Sequence, residues 1–231
     1  MGRVYDLNLQ QWVAGVNKGT PADTRHDAIL VPADKPGINL FLLHGGASGG
    51  DSLDAELYAV FENGDNVFHW GRVETSGVSP CPRANHAFVL NPKEGVYYVY
   101  GGYSGWSLRR VSSTCRLLFT CTGLAHAVMQ VYDDMYTYNH KLKRWSRVEY
   151  AAGDVPAARG GANLAYMHDN SFVVFGGFDP NAMPDTRGFM NDVHVFHCDT
   201  KKWTTPAVNG PKPPHQLTQH SKVIGESILY W

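Results

Sequence analysis

One short pattern recurs along the chain and limits what it can fold into: an apolar, strand-forming run that stops at two glycines. It reads Phe172-Val-Val-Phe-Gly-Gly177, then Tyr97-Tyr-Val-Tyr-Gly-Gly102, and, with one extra residue before the glycines, Leu40-Phe-Leu-Leu-His-Gly-Gly46. Aromatic and β-branched side chains suit a pleated, packed strand, and paired glycines let the backbone turn through positive φ directly afterwards. The pattern is therefore a period of short strands, and the glycines Gly45, Gly46, Gly101, Gly102, Gly176 and Gly177 mark where each strand ends.

Two further landmarks keep register with it. Tryptophans follow at Trp70, Trp145 and Trp203, and Trp12 precedes the first copy. The spacing is 31 residues from Trp70 to Gly101, 31 from Trp145 to Gly176 and 33 from Trp12 to Gly45. Between tryptophan and glycines a Pro/Arg pair opens the next strand, at Pro82-Arg83, Pro156 to Arg159 and Pro21 to Arg25, with Pro214-His215 in that place at the end. Double glycine, tryptophan and Pro/Arg recurring together resemble the Kelch repeat, a unit of about 50 residues that builds one blade of a β-propeller. The resemblance spans almost the whole chain and implies an all-β Kelch propeller, related to the central domain of galactose oxidase.

Composition agrees with that class. The chain has 24 glycines, twelve tyrosines and six tryptophans in 231 residues, as short strands and tight turns require. A net charge of −1 with interspersed signs offers no basic field for nucleic acid. The start, Met1-Gly-Arg-Val-Tyr-Asp6, lacks a signal-peptide pattern, and the run Leu117 to Met129 is too short and polar to span a bilayer. The expectation is a cytoplasmic protein without membrane or nucleic-acid partners. Four irregularly spaced cysteines, Cys81, Cys115, Cys121 and Cys198, suggest reduced thiols rather than a disulfide framework or zinc site.

Laid along the chain, the repeats give one propeller domain over 1–231. It divides into a half-blade (1–24), three blades (25–82, 83–158 and 159–213) and a second half-blade (214–231). Propellers have typically four to eight blades, so the expectation is a fragment of a larger ring, with closure of the two half-blades into a fourth blade as the alternative. The second blade carries an excess: Gly101 to Trp145 is 44 residues, against 25 for Gly45 to Trp70 and 27 for Gly176 to Trp203. The surplus, Val111 to Gln130, holds two of the four cysteines and no Asp or Glu. It reads as a retained intron, because Val-Ser matches a splice donor and Gln an acceptor CAG; a long blade loop is the other reading.

The resemblance also implies where function sits. Kelch propellers commonly bind partners on the face formed by the loops after the paired glycines. Those loops contribute Ser48, Asp51, Tyr103, Trp106, Arg109, Arg110, Asp179, Asp185 and Arg187. Arginine beside aromatic residues suits recognition of a protein or peptide partner. Of these, Tyr103, Trp106, Arg109, Arg110, Asp179, Asp185 and Arg187 are the candidate partner-binding residues. Arg83 and Arg159 recur with the period and are assigned to structural bonds within their own blades, as are the packing tryptophans; Asp134 and Asp192 are assigned to turns. No catalytic residue, cofactor or metal is expected: the chain reads as an interaction scaffold and not an enzyme. The alternative is a metal-dependent Kelch enzyme of the galactose-oxidase or nitrile-specifier type. For the latter, Glu62, Asp65 and His69 approach the iron-binding spacing with one gap a residue short.

Overall fold

The computed structural model describes residues 3–6, 10–33, 39–49, 52–62, 66–104, 130–179, 188–211, 221–224 and 227–230, and every regular element among them is a strand. β1 (Arg3–Asp6) and β2 (Gln11–Ala14) pair as an antiparallel hairpin. β3 (Val16–Gly19), β4 (Arg25–His26), β5 (Ile29–Pro32), β6 (Asn39–His44), β7 (Ala47–Ser48), β8 (Ser52–Leu53), β9 (Leu57–Glu62) and β10 (Val67–Arg72) follow. They form a sheet in the order β3-β10-β9-β6-β5 and a small ladder, β4-β7-β8, beside it. The second sheet takes β11 (Ser76–Gly77), β12 (Ala87–Asn91), β13 (Val96–Tyr100), β14 (Met135–Asn139) and β15 (Arg144–Arg147) in the order β11-β15-β14-β13-β12. The third holds β16 (Asn163–Met167), β17 (Ser171–Phe175), β18 (Val193–His197) and β19 (Lys202–Thr204) in chain order. A last hairpin joins β20 (Ser221–Ile224) to β21 (Ser227–Tyr230). The strands that end at the paired glycines, β6, β13 and β17, fall within a residue of the apolar runs that mark them in the sequence.

Side-chain alternation explains why the central residues of the second strand of each sheet are apolar on both faces. On β13, Tyr97 and Val99 face the first sheet, where they pack with Leu42, Leu57, Phe88, Tyr138 and Trp145. Their neighbours Tyr98 and Tyr100 face the other way, against Phe172, Val174, Phe196 and Trp203 of the third sheet. A strand buried on both faces has no polar side to show. Trp145 (1% exposed) and Trp203 (0%) lie in these interfaces, each contributing on the order of 3 kcal/mol through burial. The packing expected of all four tryptophans fails at Trp12, which is 65% exposed on the β1-β2 hairpin, and is only partial at the half-buried Trp70. The innermost strands β5, β12, β16 and β20 approach one another in succession, which sets the sheets radially about a common axis.

The outer edges are closed by an element that the sequence reading did not anticipate. The segment entering each sheet first runs parallel to that sheet's outermost strand: β3 pairs with β10, and β11 with β15. In the third sheet Ala151 N donates to Lys201 O at 2.8 Å and Asp154 N to Trp203 O at 3.2 Å in the same place. A glycine sits at each crossing, Gly19, Gly77 and Gly153, because a Cβ there would collide with the carbonyl oxygen of Trp70, Trp145 or Trp203.

Candidate functional site

Each full sheet is pinned at the end where its glycine pair lies by one arginine. Arg83 donates from Nη1 to Gly101 O (2.9 Å) and Asp134 Oδ1 (2.6 Å), from Nη2 to Asp134 Oδ2 (3.2 Å) and from Nε to Cys81 O (3.1 Å). Arg159 repeats the set with Gly176 O (2.9 Å), Asp192 (2.7 and 2.9 Å) and Ala157 O (2.9 Å). Arg25 makes it with Gly45 O (3.0 Å), Asp54 Oδ2 (2.7 Å) and Asp23 O (3.1 Å). The side chains of Arg83 and Arg159 are 0% exposed, and each donates four hydrogen bonds to partners within its own blade. Their backbones reach the preceding sheet: Gly46 N donates to Arg83 O and Gly102 N to Arg159 O, both at 2.9 Å. Burial alone would raise the Asp192 carboxyl, but hydrogen bonds from Arg159 and His194, with the charge of Arg159, outweigh it and hold the group below the ordinary carboxylate range.

Beyond the glycines the chain enters a rim of small ladders. His26 pairs with Ala47 and Ala47 with Leu53; Ala84 with Tyr103 and Tyr103 with Val131; Gly160 with Phe178 and Phe178 with Phe189. From these stems the post-glycine loops leave at equivalent places. The second loop leaves and returns through Ser104 and Gln130, where Ser104 N donates to Gln130 O at 2.8 Å and Gln130 N to Ser104 Oγ at 3.2 Å. Gln130, the last residue of the sequence-defined insertion, therefore belongs to the stem, while residues 111–129 lie outside the described residues.

Tyr103 links three sheets at the centre of this rim. Its ring lies over Gly160, where a Cβ would stand 2.8 Å from Tyr103 Cδ1, and its hydroxyl donates to Asp27 Oδ2 at 2.8 Å. Burial first, then the bond to Asp27, pushes the phenol up to about 12. Beneath it runs a collar of left-handed residues, Asp27, Asn85 and Gly161: Asn85 N donates to Asp27 O (2.9 Å) and Gly161 N to Asn85 O (2.7 Å). Of the candidate partner-binding residues, Tyr103 and Asp179 fall on this rim, Asp179 N donating to Gly188 O at 2.9 Å. Trp106, Arg109, Arg110, Asp185 and Arg187, together with Asp51, lie outside the described residues.

The iron-type triplet does not converge. Glu62 is paired with Phe68 and His69 with Phe61, so Glu62 and His69 project from opposite faces of their sheet. Asp65 lies outside the described residues, and no group of three metal-ligating side chains gathers among those described. The expectation of reduced thiols fails at Cys81, which is disulfide-bonded. Cysteine spacing in sequence says nothing about which sulfurs the folded chain brings together. Cys198 is a free, buried thiol, pushed up to about 12 by burial and then by the charge of Glu94. No helix among the described residues is long and apolar enough to cross a membrane.

Residues 3–231 match the family described as the KLHDC2/KLHL20/DRC7 Kelch-repeats domain. The chain belongs to the Kelch-repeat family. Its sheets are Kelch blades, and the tryptophans, paired glycines and arginines above are the Kelch period seen in three dimensions. Among curated Kelch relatives, Kelch domain-containing protein 1 of Mus musculus is 25% identical over 168 residues, which is 72% of this chain and 39% of that protein. Acyl-CoA-binding domain-containing protein 4 of Arabidopsis thaliana is 24% identical over 231 residues, 98% of this chain and 29% of the relative. Host cell factor 2 of Homo sapiens is 24% identical over 188 residues, 74% of this chain and 20% of the relative. The chain thus spans well under half the length of each. The solved structure of YjhT superposes with a TM-score of 0.61 at 13% identity, over 96% of this chain and 62% of YjhT, a likeness of fold alone.

Proposed function

We propose that this Kelch domain is a protein-interaction scaffold that holds a segment of a partner protein on the rim formed by the post-glycine loops, with no chemistry performed on the bound chain. The observation that carries the reading is the contrast between stems and loops. The stems repeat from blade to blade, yet the stretches between them are residues 49–51, 105–129 and 180–187, three different lengths at one end of a rigid frame. Loops free to vary on a fixed scaffold are how many folds acquire binding specificity. The buried arginines are occupied within their blades, so recognition falls to Tyr103, Trp106, Arg109, Arg110, Asp179, Asp185 and Arg187.

The test is affinity capture with three forms of the protein. They are the wild type, a rim variant carrying Trp106→Ala and Arg109→Ala, and a control carrying Lys141→Ala and Lys143→Ala in an exposed turn at the opposite ends of the strands. The reading expects a partner held by wild type and control and lost by at least tenfold from the rim variant. Equal retention by all three would overturn it.

A further inference from the structure

The junction between the first and second blades contains a pair of histidines that the next junction lacks. His44, the last residue of β6, and His86, just before β12, are both buried, with His44 Nδ1 3.0 Å from His86 Nε2 and ring centroids 4.9 Å apart in an edge-on arrangement. His44 also stacks on Trp145 (5.1 Å) and Phe88 (5.8 Å) of the second blade. The outward nitrogens, His44 Nε2 and His86 Nδ1, have no hydrogen-bond partner. At the following junction the same places are taken by Tyr100, stacked on Trp203 at 5.4 Å, and by Ala162. In the third blade they are Phe175 and Ala162.

We propose that the His44–His86 pair is an acid-sensitive latch whose protonation loosens the junction between the first two blades while the junction between the second and third stays closed. The neutral pair keeps one proton in the Nδ1···Nε2 bond and one on an outward nitrogen. A first added proton goes to the bare outward nitrogen and places an unhydrated charge among Trp145 and Phe88. A second leaves two N–H groups facing each other across 3.0 Å. The charged groups around the pair do not welcome this. Arg25 and Asp54 on the first blade are already paired, and so are Arg83 and Asp134 on the second. Burial, and then the charge of Arg83, pulls His44 down to about 3; burial and then His44 itself hold His86 well below the ordinary histidine value. Both groups are therefore neutral in the closed junction and take up protons on opening, so each pH unit below the ordinary histidine value of about 6.5 favours opening roughly tenfold per histidine.

Hydrogen exchange on the full chain at pH 7.5 and 5.5, corrected for intrinsic exchange, tests this. The amides of β6 and β12 should lose roughly 10- to 100-fold in protection, while β17 and β18 change less than about threefold. The double substitution His44→Phe with His86→Ala, which installs the residues of the third blade, should abolish the loss. Equal changes at both junctions, unchanged protection of β6 and β12, or a double variant that loses protection like wild type would each overturn the proposal. Should the variant not fold, the two junctions of the wild type still decide it.

Discussion

Replacing Gly77 by alanine isolates the energetic value of the parallel edge strand. Gly77 and Gly95 both hold positive φ, +84° and +66°, so an alanine at either incurs about 1–2 kcal/mol for left-handed backbone. At Gly95 the new methyl would meet open space. At Gly77 it would collide with the carbonyl oxygen of Trp145, which is fixed in β15. Relief requires lifting β11 away, and with it the bonds from Ser76 N to Lys143 O (2.9 Å) and Val78 N to Trp145 O (3.2 Å). At about 1 kcal/mol net for each, Gly77→Ala should cost about 3–4 kcal/mol and Gly95→Ala about 1–2. With a urea slope of about 2 kcal/mol/M, the two variants should unfold about 1 M apart, Gly77→Ala first. Coincident midpoints at equal slopes would show that the edge strand carries no stability and would refute the reasoning.

Two further outcomes follow from the arginine clamps. Arg83→Lys removes the fork that satisfies Asp134, Gly101 and Cys81 together and should cost about 3–5 kcal/mol in urea unfolding, while Arg72→Ala, an exposed partner of Glu56, should cost less than about 1. Because Asp192 is held below the ordinary carboxylate range, its contribution is complete above that range and is lost progressively as the pH falls from that range toward the lower folded-state value. Midpoints measured at pH 5 and pH 3 should therefore fall more for the wild type than for Asp192→Asn; equal falls would refute the assignment.

Much of the frame was legible because its parts recur in the same order. The arginines, paired glycines and tryptophans report the same local bonds in each blade, so spacing alone located them. Asp134 and Asp192, assigned to turns, instead hold Arg83 and Arg159, and Asp54, which holds Arg25 in the same way, stands 16 residues before its tryptophan rather than 11, so its place in the repeat was hidden as well. The edge glycines were single letters without a visible partner, although Gly19, Gly77 and Gly153 each lie six residues before Arg25, Arg83 and Arg159. His44 and His86 meet only through blade packing across 42 positions, and nothing in the sequence period points one at the other. The three-blade reach of Tyr103 depends on Gly160, a residue in another repeat whose missing side chain makes the room.

The parallel edge strands put the repeat of the sequence and the repeat of the structure out of phase. A cut between one of these edge glycines and the following arginine would strip a neighbouring blade of its outer border and expose a row of backbone groups. A copied or transplanted repeat would keep its border only if the segment ahead of its arginine travelled with it. Exchange of blades between such proteins, by design or by descent, is therefore constrained to junctions that lie before Gly19, Gly77 or Gly153 rather than after them.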